Sequence, residues 1–183
     1  NVMRFHSCFV NGVLYDRPLS GQLAAVAAVE GADGEDNDWN ARCMHEFLVC
    51  MAVCNSVEPE EHEDGTVAFL AQSPDEEALC DAARANGCCL TARTANAVTV
   101  RDGTGHEHTY EVLATMPFSS ERRRMSVLVR RPDGTAVLYI KGADNVVLPR
   151  LSTGNNSGDA AQVAAAQEAA ASCAARGLRV LVL

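Results

Sequence analysis

Between Cys88 and Lys141 five strand-like stretches follow one another, and this succession restricts the fold more than any other feature of the chain. They run from Cys88 to Arg93, Ala97 to Asp102, His106 to Pro117, Arg123 to Arg131 and Ala136 to Lys141. Asp102-Gly103 and Asp133-Gly134 fall in two of the connections, as dipeptides that favour hairpin turns. Consecutive hairpins imply an antiparallel sheet. Around it the pattern turns helical. A helix is expected from about Asp38 to Val57, then an acidic turn from Glu58 to Asp64 and a short strand over Val67 to Leu70. Ser73 stands ready to cap a second helix, with Pro74 at its first position and Asp75 and Glu76 where the helix dipole favours carboxylates. Ala78, Leu79, Ala82 and Ala83 give that helix an apolar face, and Gly87 stops it. An Ala-rich helix is expected from Asp159 to Arg176, ended by Gly177. The predicted class is α+β, an antiparallel sheet with helices segregated onto it.

At 183 residues the chain can bury a substantial core. No apolar run approaches the roughly 20 residues of a membrane helix, and there is no signal-peptide pattern. The apolar run Val180 to Leu183 stops in mid-pattern, as in a piece of a longer protein. With 15 basic and 24 acidic side chains the formal charge is −9, which repels nucleic acid and anionic lipid. Neither nucleic acid nor direct membrane contact is therefore expected. The run Arg122-Arg123-Arg124 is a local exception. Placed on a strand, Arg124 and Ser126 would share one face and Arg123, Met125, Val127 and Val129 the other. A solvated strand entrance explains the run; a phosphate-facing role for one Arg is the alternative.

Eight cysteines raise the question of metal or disulfides. Cys43, Cys50 and Cys54 fall with Phe47 and Met51 at helical spacings, so they draw an apolar stripe. A zinc set of Cys43, His45, Cys50 and Cys54 lacks paired Cys-x-x-Cys knuckles, and His45 lies off the stripe. Cys88 and Cys89 point to opposite faces of a strand, and Cys8, Cys80 and Cys173 are scattered. This is how reduced thiols serve as small hydrophobes.

The chemistry-bearing motif is Lys141-Gly142-Ala143-Asp144, which places an ammonium group and a side-chain-free backbone at the mouth of the sheet. Such pairs are also ordinary strand-end turns. Three other pieces accompany it: Ser73-Pro74-Asp75-Glu76, Phe118-Ser119-Ser120 and Gly177-Leu178-Arg179. In that order, and with matching blocks over Ala71 to Ala83, Phe118 to Val129, Leu138 to Leu151 and Gly177 to Leu181, the chain resembles the nucleotide-binding domain of type IV P-type ATPases, the lipid flippases. Asn1 to Phe5 with Cys8, Gly12 and Tyr15 resembles the stretch after the family's phosphorylated Asp-Lys-Thr-Gly-Thr motif, which this chain lacks. Phe47 to Glu60, containing Cys54-Asn55-Ser56-Val57, resembles a family helix leading into an acidic loop. Ser20 to Trp39 and Ser152 to Ala161 match least and read as loops.

The resemblance implies a site. Phe118, which on position alone reads as core, would stack on adenine. Lys141 would line the adenine pocket. Glu76 would contact the base, although Ser73 and Glu76 are equally spaced for a capping box with the Glu reaching back to the Ser73 amide. Arg179 would reach the phosphates with its fork of donors. Ser120 would add a hydroxyl, and Gly142 the close approach. Val180 replaces the Thr usual after that Arg. No residue is assigned a catalytic role or a metal. The acidic groups Asp33 to Asp38 and Glu58 to Asp64 read as solvated turn charge.

The resemblance implies a single domain over 1–183 that binds ATP and does not hydrolyse it alone. In a parent membrane pump it would bring the γ-phosphate to the phosphorylation domain, beside an actuator domain, at the cytosolic face. Magnesium would be a cofactor of that parent, with ligands mostly outside this chain, and the cycle would move phospholipid between leaflets. The isolated domain is expected to be a monomer. A non-catalytic interaction module, docking through the acidic loops or the Ala-rich helix, is the reading from another class.

Overall fold

The hairpin succession folds into one five-stranded sheet. The computed structural model describes residues 2–17, 21–27, 35–151 and 157–183. In chain order the elements are a hairpin of β1 (Ser7–Val10) and β2 (Val13–Asp16), then helices α1 (Gln22–Ala27) and α2 (Glu35–Val53). A second hairpin comes next, β3 (Glu58–Glu61) and β4 (Val67–Leu70), and then helix α3 (Pro74–Ala85). The main sheet comprises β5 (Cys88–Arg93), β6 (Ala97–Asp102), β7 (Glu107–Met116), β8 (Arg124–Arg130) and β9 (Ala136–Gly142). A short helix α4 (Asp144–Val147), a 3-10 turn (Leu148–Arg150) and helix α5 (Ser157–Ala175) complete the chain.

Strand order in the sheet is sequence order, β5-β6-β7-β8-β9, and every neighbouring pair is antiparallel. One face is apolar. Leu90, Val98, Val100, Tyr110, Met125, Val127, Val129 and Tyr139 are buried in one cluster with Met44, Leu48 and Met51 of α2 and Leu79, Cys80 and Ala83 of α3. Alternation along each strand leaves the other face more polar, with Glu107, Thr109 and Glu111 of β7 exposed around the buried Tyr110. Bulges between Leu90 and Ala92 and between Val112 and Ala114 shift the register.

Three turns share one chemistry. Asp64, Asp102 and Asp133 each precede Gly-Thr, and each Oδ1 accepts the amide and the hydroxyl of the Thr two residues on. These bonds, from the Thr hydroxyl first, hold all three carboxyls below their usual range.

Several expectations need correction. Glu58 to Glu61 is not turn but strand β3, paired residue by residue with Val67 to Leu70 across the Asp64 turn. Its carboxylates remain on the outside, where Arg101 meets Glu61 at 2.5 Å, so pairing with β4 overrides a weak strand propensity. Within Ser20 to Trp39, expected as loop, Gln22–Ala27 is helical and α2 begins at Glu35. Fully buried Leu23 anchors α1, its amide bound to the Asn86 side chain at 3.0 Å. In Ser152 to Ala161, α5 begins at Ser157, and residues 152–156 lie outside the described ones. The side chains of Asp33 to Asp38 are likewise outside them. Arg123 has φ +52, so β8 starts only at Arg124 and the three arginines do not alternate along a strand.

All eight cysteines are free. Cys50 and Cys54 lie in the core, and Cys54 donates to the carbonyl of Tyr139 at 3.6 Å. Burial pushes the thiols of Cys8, Cys80 and Cys88 up to about 12. Among the described residues no group of three or more His, Cys, Asp or Glu is placed to hold a metal ion.

Candidate functional site

Lys141 is the penultimate residue of β9 and pairs with Met125 of β8, so its side chain lies on the face covered by α2 and α3. It is not a solvated strand-end lysine. Only 8% of Lys141 and 8% of Glu76 is exposed, and Lys141 Nζ lies 2.6 Å from Glu76 Oε1. Glu76 Oε2 also accepts the Ser56 hydroxyl at 2.6 Å, and both carboxylate oxygens lie 3.3 Å from the Ser56 amide. Burial works to raise the Glu76 pKa. The hydrogen bonds from Lys141 and Ser56, with the charge of Lys141, outweigh it and hold the carboxyl below its ordinary value. The pair is ionic.

Glu76 is thus held by Lys141 and Ser56 and does not make the helix cap that its sequence position also suggests. Ser73 occupies the N-cap position of α3 in extended conformation, but it makes no side-chain cap bond and Glu76 does not reach back to it. The first turn is closed by Ser73's carbonyl, which accepts the amides of Glu76 and Glu77. The Glu76 side chain turns instead toward the segment that leaves α2. That segment is clamped: buried Asn55 donates to the carbonyls of Met51 and Ala52, while its Oδ1 accepts Val57 N at 3.0 Å and an Arg93 N–H at 2.7 Å. Arg93 also donates to the Val57 carbonyl. Asn55, Ser56 and Arg93 are not candidates from sequence. Their signal is Asn-Ser at a helix end, which reads as an ordinary turn until its amide is found buried.

Phe118 lies two residues beyond Met116, which pairs with Ser126, and Ser126 pairs in turn with Ile140. The ring therefore emerges at the same end of the sheet as Lys141. It is 64% exposed, against the core expectation for an aromatic at a strand end. The loop carrying it is held by Ser119, whose hydroxyl accepts Arg122 N at 3.1 Å and whose carbonyl accepts Arg123 N at 2.7 Å. Ser120 is exposed on the same loop.

Gly142 is buried opposite Arg124. A Cβ on it would stand 2.6 Å from Arg124 Cβ and 2.8 Å from the Arg123 carbonyl, so the absent side chain is already required by strand packing. Gly142 and Val182 exchange backbone hydrogen bonds at 2.9 Å, which brings the C-terminal segment to this end of the sheet. Three residues before Val182, Arg179 bonds Asp75 at 2.9 Å in the first turn of α3, next to Glu76. Its side chain is 64% exposed. The structure thus gathers Glu76, Lys141, Gly142 and Arg179 around the junction of β9 and α3, with Phe118 and Ser120 on the neighbouring loop.

A separate apolar cavity of about 930 Å³ opens beside β9 and is lined in part by Phe5, Phe47, Leu138, Ile140, Leu178 and Leu181. It borders Asp75 and Arg179 but not Phe118, Glu76 or Lys141. No helix among the described residues is long and apolar enough to cross a membrane.

Residues 43–183 match the family described as P-type ATPase, cytoplasmic domain N. The whole chain aligns at 38% identity with the phospholipid-transporting ATPase IK of Mus musculus and at 34% with the phospholipid-transporting ATPase DRS2 of Saccharomyces cerevisiae, covering 14% of each. Over 82% of the chain, identity is 40% to the phospholipid-transporting ATPase ID of Mus musculus, again 14% of its length. The chain spans about one seventh of the length of the relatives it matches.

Proposed function

The chain belongs to the cytoplasmic N domain family of P-type ATPases, and from that premise we propose that it binds ATP through Phe118 and the Lys141–Glu76 pair and serves a phospholipid-translocating pump. One observation carries the reading. An exposed aromatic ring and a nearly dry ammonium–carboxylate pair, 65 residues apart within the pair, lie at one end of one sheet.

Each group has a task suited to its chemistry. An exposed ring is a stacking platform for a purine, an interaction of about 1–3 kcal/mol per base. Lys141 has three N–H donors and, among the described residues, gives one from Nζ, to Glu76. The others remain for acceptors on the base. Glu76, held ionised, fixes the ammonium in place and is itself an acceptor for an exocyclic amine. Ser56 braces the carboxylate. Arg179, on the rim and mostly exposed, offers a planar fork toward phosphate when it leaves Asp75.

Magnesium is a cofactor of the parent pump in this reading, and among the described residues no group of three or more His, Cys, Asp or Glu is placed to hold it. It would arrive with the phosphates, its protein ligands being elsewhere in the parent. The domain's part is then binding and positioning: it brings the γ-phosphate to an acceptor on a phosphorylation domain, where catalysis is largely placement and charge neutralisation. The isolated chain, a monomer and a single domain, binds without hydrolysing. In the parent it works at the cytosolic face of a membrane alongside the actuator domain.

Binding by one stacked ring and a few polar groups is weak, on the order of the 4 kcal/mol that corresponds to millimolar affinity. Titration of ATP should move the amide resonances of Phe118, Lys141 and Glu76 together, and Phe118→Ala should remove the response. Saturating ATP that leaves those three unmoved refutes the site.

A further inference from the structure

Arg93 is the last residue of β5, and a regular strand would turn its side chain away from the core. Leu90 faces the core, and residues three apart on a strand point to opposite faces. The bulge between Leu90 and Ala92 reverses that alternation, so Arg93 pairs with fully buried Val98 and shares its face. The guanidinium is thereby carried under the end of α2. There it donates from Nε to the Val57 carbonyl at 2.8 Å and from Nη2 to Asn55 Oδ1 at 2.7 Å.

Asn55 and Val57 flank Ser56. Asn55 is only 1% exposed, its amide group donates to the carbonyls of Met51 and Ala52, and its Oδ1 also accepts Val57 N. Both neighbours of Ser56 are pinned, and with them the direction of the Ser56 amide and hydroxyl, which reach Glu76. One helical turn after Glu76, Cys80 Sγ donates to the Met51 carbonyl at 3.9 Å and ties α3 to the same place. Stability alone does not call for Arg93. It is half-buried, burial holds its guanidinium below the ordinary range, and both bonds end on neutral oxygens. What a planar fork does well is to meet two oxygens at once and fix their positions.

The consequence falls on Glu76. An ionised carboxylate has about four acceptor sites. Lys141 Nζ, the Ser56 hydroxyl and the Ser56 amide take three of them, which leaves one for a ligand donor in a direction that Ser56 helps to set. We propose that Arg93, acting through Asn55 and Ser56, is a positioning residue that aims the Glu76 carboxylate at the exocyclic amine of the bound base. The proposal rests on the nucleotide reading of the Phe118 site and adds to it the groups that decide how strictly that amine is required.

ATP and the triphosphate of purine riboside, which is ATP without its exocyclic amine, test it when each is titrated into wild type, Ser56→Ala, Ser56→Thr and Arg93→Lys, with affinities read from the Phe118 amide shift. Wild type should prefer ATP about tenfold, the worth of one hydrogen bond to a charged group. Ser56→Ala and Arg93→Lys, whose ammonium lacks the fork, should bring that ratio to about threefold or less by weakening ATP and sparing the other nucleotide. Ser56→Thr keeps the hydroxyl and should keep the ratio. The double variant Ser56→Ala, Arg93→Lys should match Ser56→Ala, because Arg93 acts through Ser56. A merely structural loss, including partial unfolding, lowers both affinities together and leaves the ratio unchanged. Wild-type ratios in Ser56→Ala and Arg93→Lys overturn the positioning role while the base contact stands, as do additive effects in the double variant. If Arg93→Lys does not fold, as thermal unfolding will show, a wild-type ratio in Ser56→Ala overturns it alone. Equal binding of both nucleotides by wild type refutes the contact of Glu76 with the base, and the proposal falls with it.

Discussion

Lys141 and Glu76 show what a single side chain gains and loses by leaving water. Each would be costly to bury alone, and at 2.6 Å they share the cost, with Ser56 supplying a third polar partner. Removing one charge leaves the other stranded. Glu76→Gln should therefore destabilise the fold by about 3–5 kcal/mol in denaturant unfolding, and adding Lys141→Met should recover much of that loss. A small effect of Glu76→Gln would show that water reaches the pair. The depressed Glu76 pKa sets the sign of the pH dependence. Its contribution is fully present above the ordinary carboxyl value of 4.5 and is lost as pH falls through the lower, folded value. Wild-type stability should drop on acidification below that window more steeply than that of Glu76→Gln, as measured by urea midpoints. The strand-end places of Phe118 and Lys141 were legible because strand limits are set by local pattern, whereas the exposure of the one and the burial of the other were not. Ser56 was not, because its role exists only once α2 and α3 lie side by side.

Turns show how one dipeptide serves two geometries. Asp133-Gly134 and Asp102-Gly103 look alike in sequence, and both signal a hairpin. At the first, Gly134 takes the left-handed residue of the turn with φ +87. At the second that conformation falls on Gly105, φ +90, while Gly103 does not adopt it. The turn is shifted along the chain because Asp102 N bonds the His106 carbonyl, whereas the other closes between Arg131 and Thr135. Gly134→Ala and Gly105→Ala should each cost about 1–2 kcal/mol. Gly103→Ala, whose added carbon would meet only Gly87 Cα at 3.8 Å, should stay within about 0.5 kcal/mol. Equal costs at the three sites, by thermal unfolding, would refute this assignment of turn positions. Strand β3 escapes a sequence reading for the opposite reason: its acidic sequence carries no apolar alternation, and only pairing with β4 makes it a strand.

Taken as one body, the molecule buries five of its eight cysteines and, apart from the Glu76–Lys141 pair, keeps most of its described charge toward solvent. Cys8, Cys80 and Cys88, their thiols pushed up to about 12 by burial, should resist alkylation at mildly alkaline pH and react only as the chain unfolds. Rapid labelling of these three in the native protein would contradict their place in the core. The five antiparallel strands of the sheet, their approximate ends and helices α2 and α3 against it were written in local patterns: alternation and turn residues depend on near neighbours, and near neighbours are what a sequence displays. The identity of the family was legible for the same reason, in short motifs at strand and helix ends. What the linear order could not contain is which distant groups meet. That Glu76 would bind Ser56 and Lys141 rather than its own helix end, that Arg179 would close on Asp75, and that Gly142 would make room for Arg124 all depend on packing α2, α3 and the C-terminal segment against one end of the sheet. Burial and ion pairing act through space, and their partners here lie tens of residues apart in the chain.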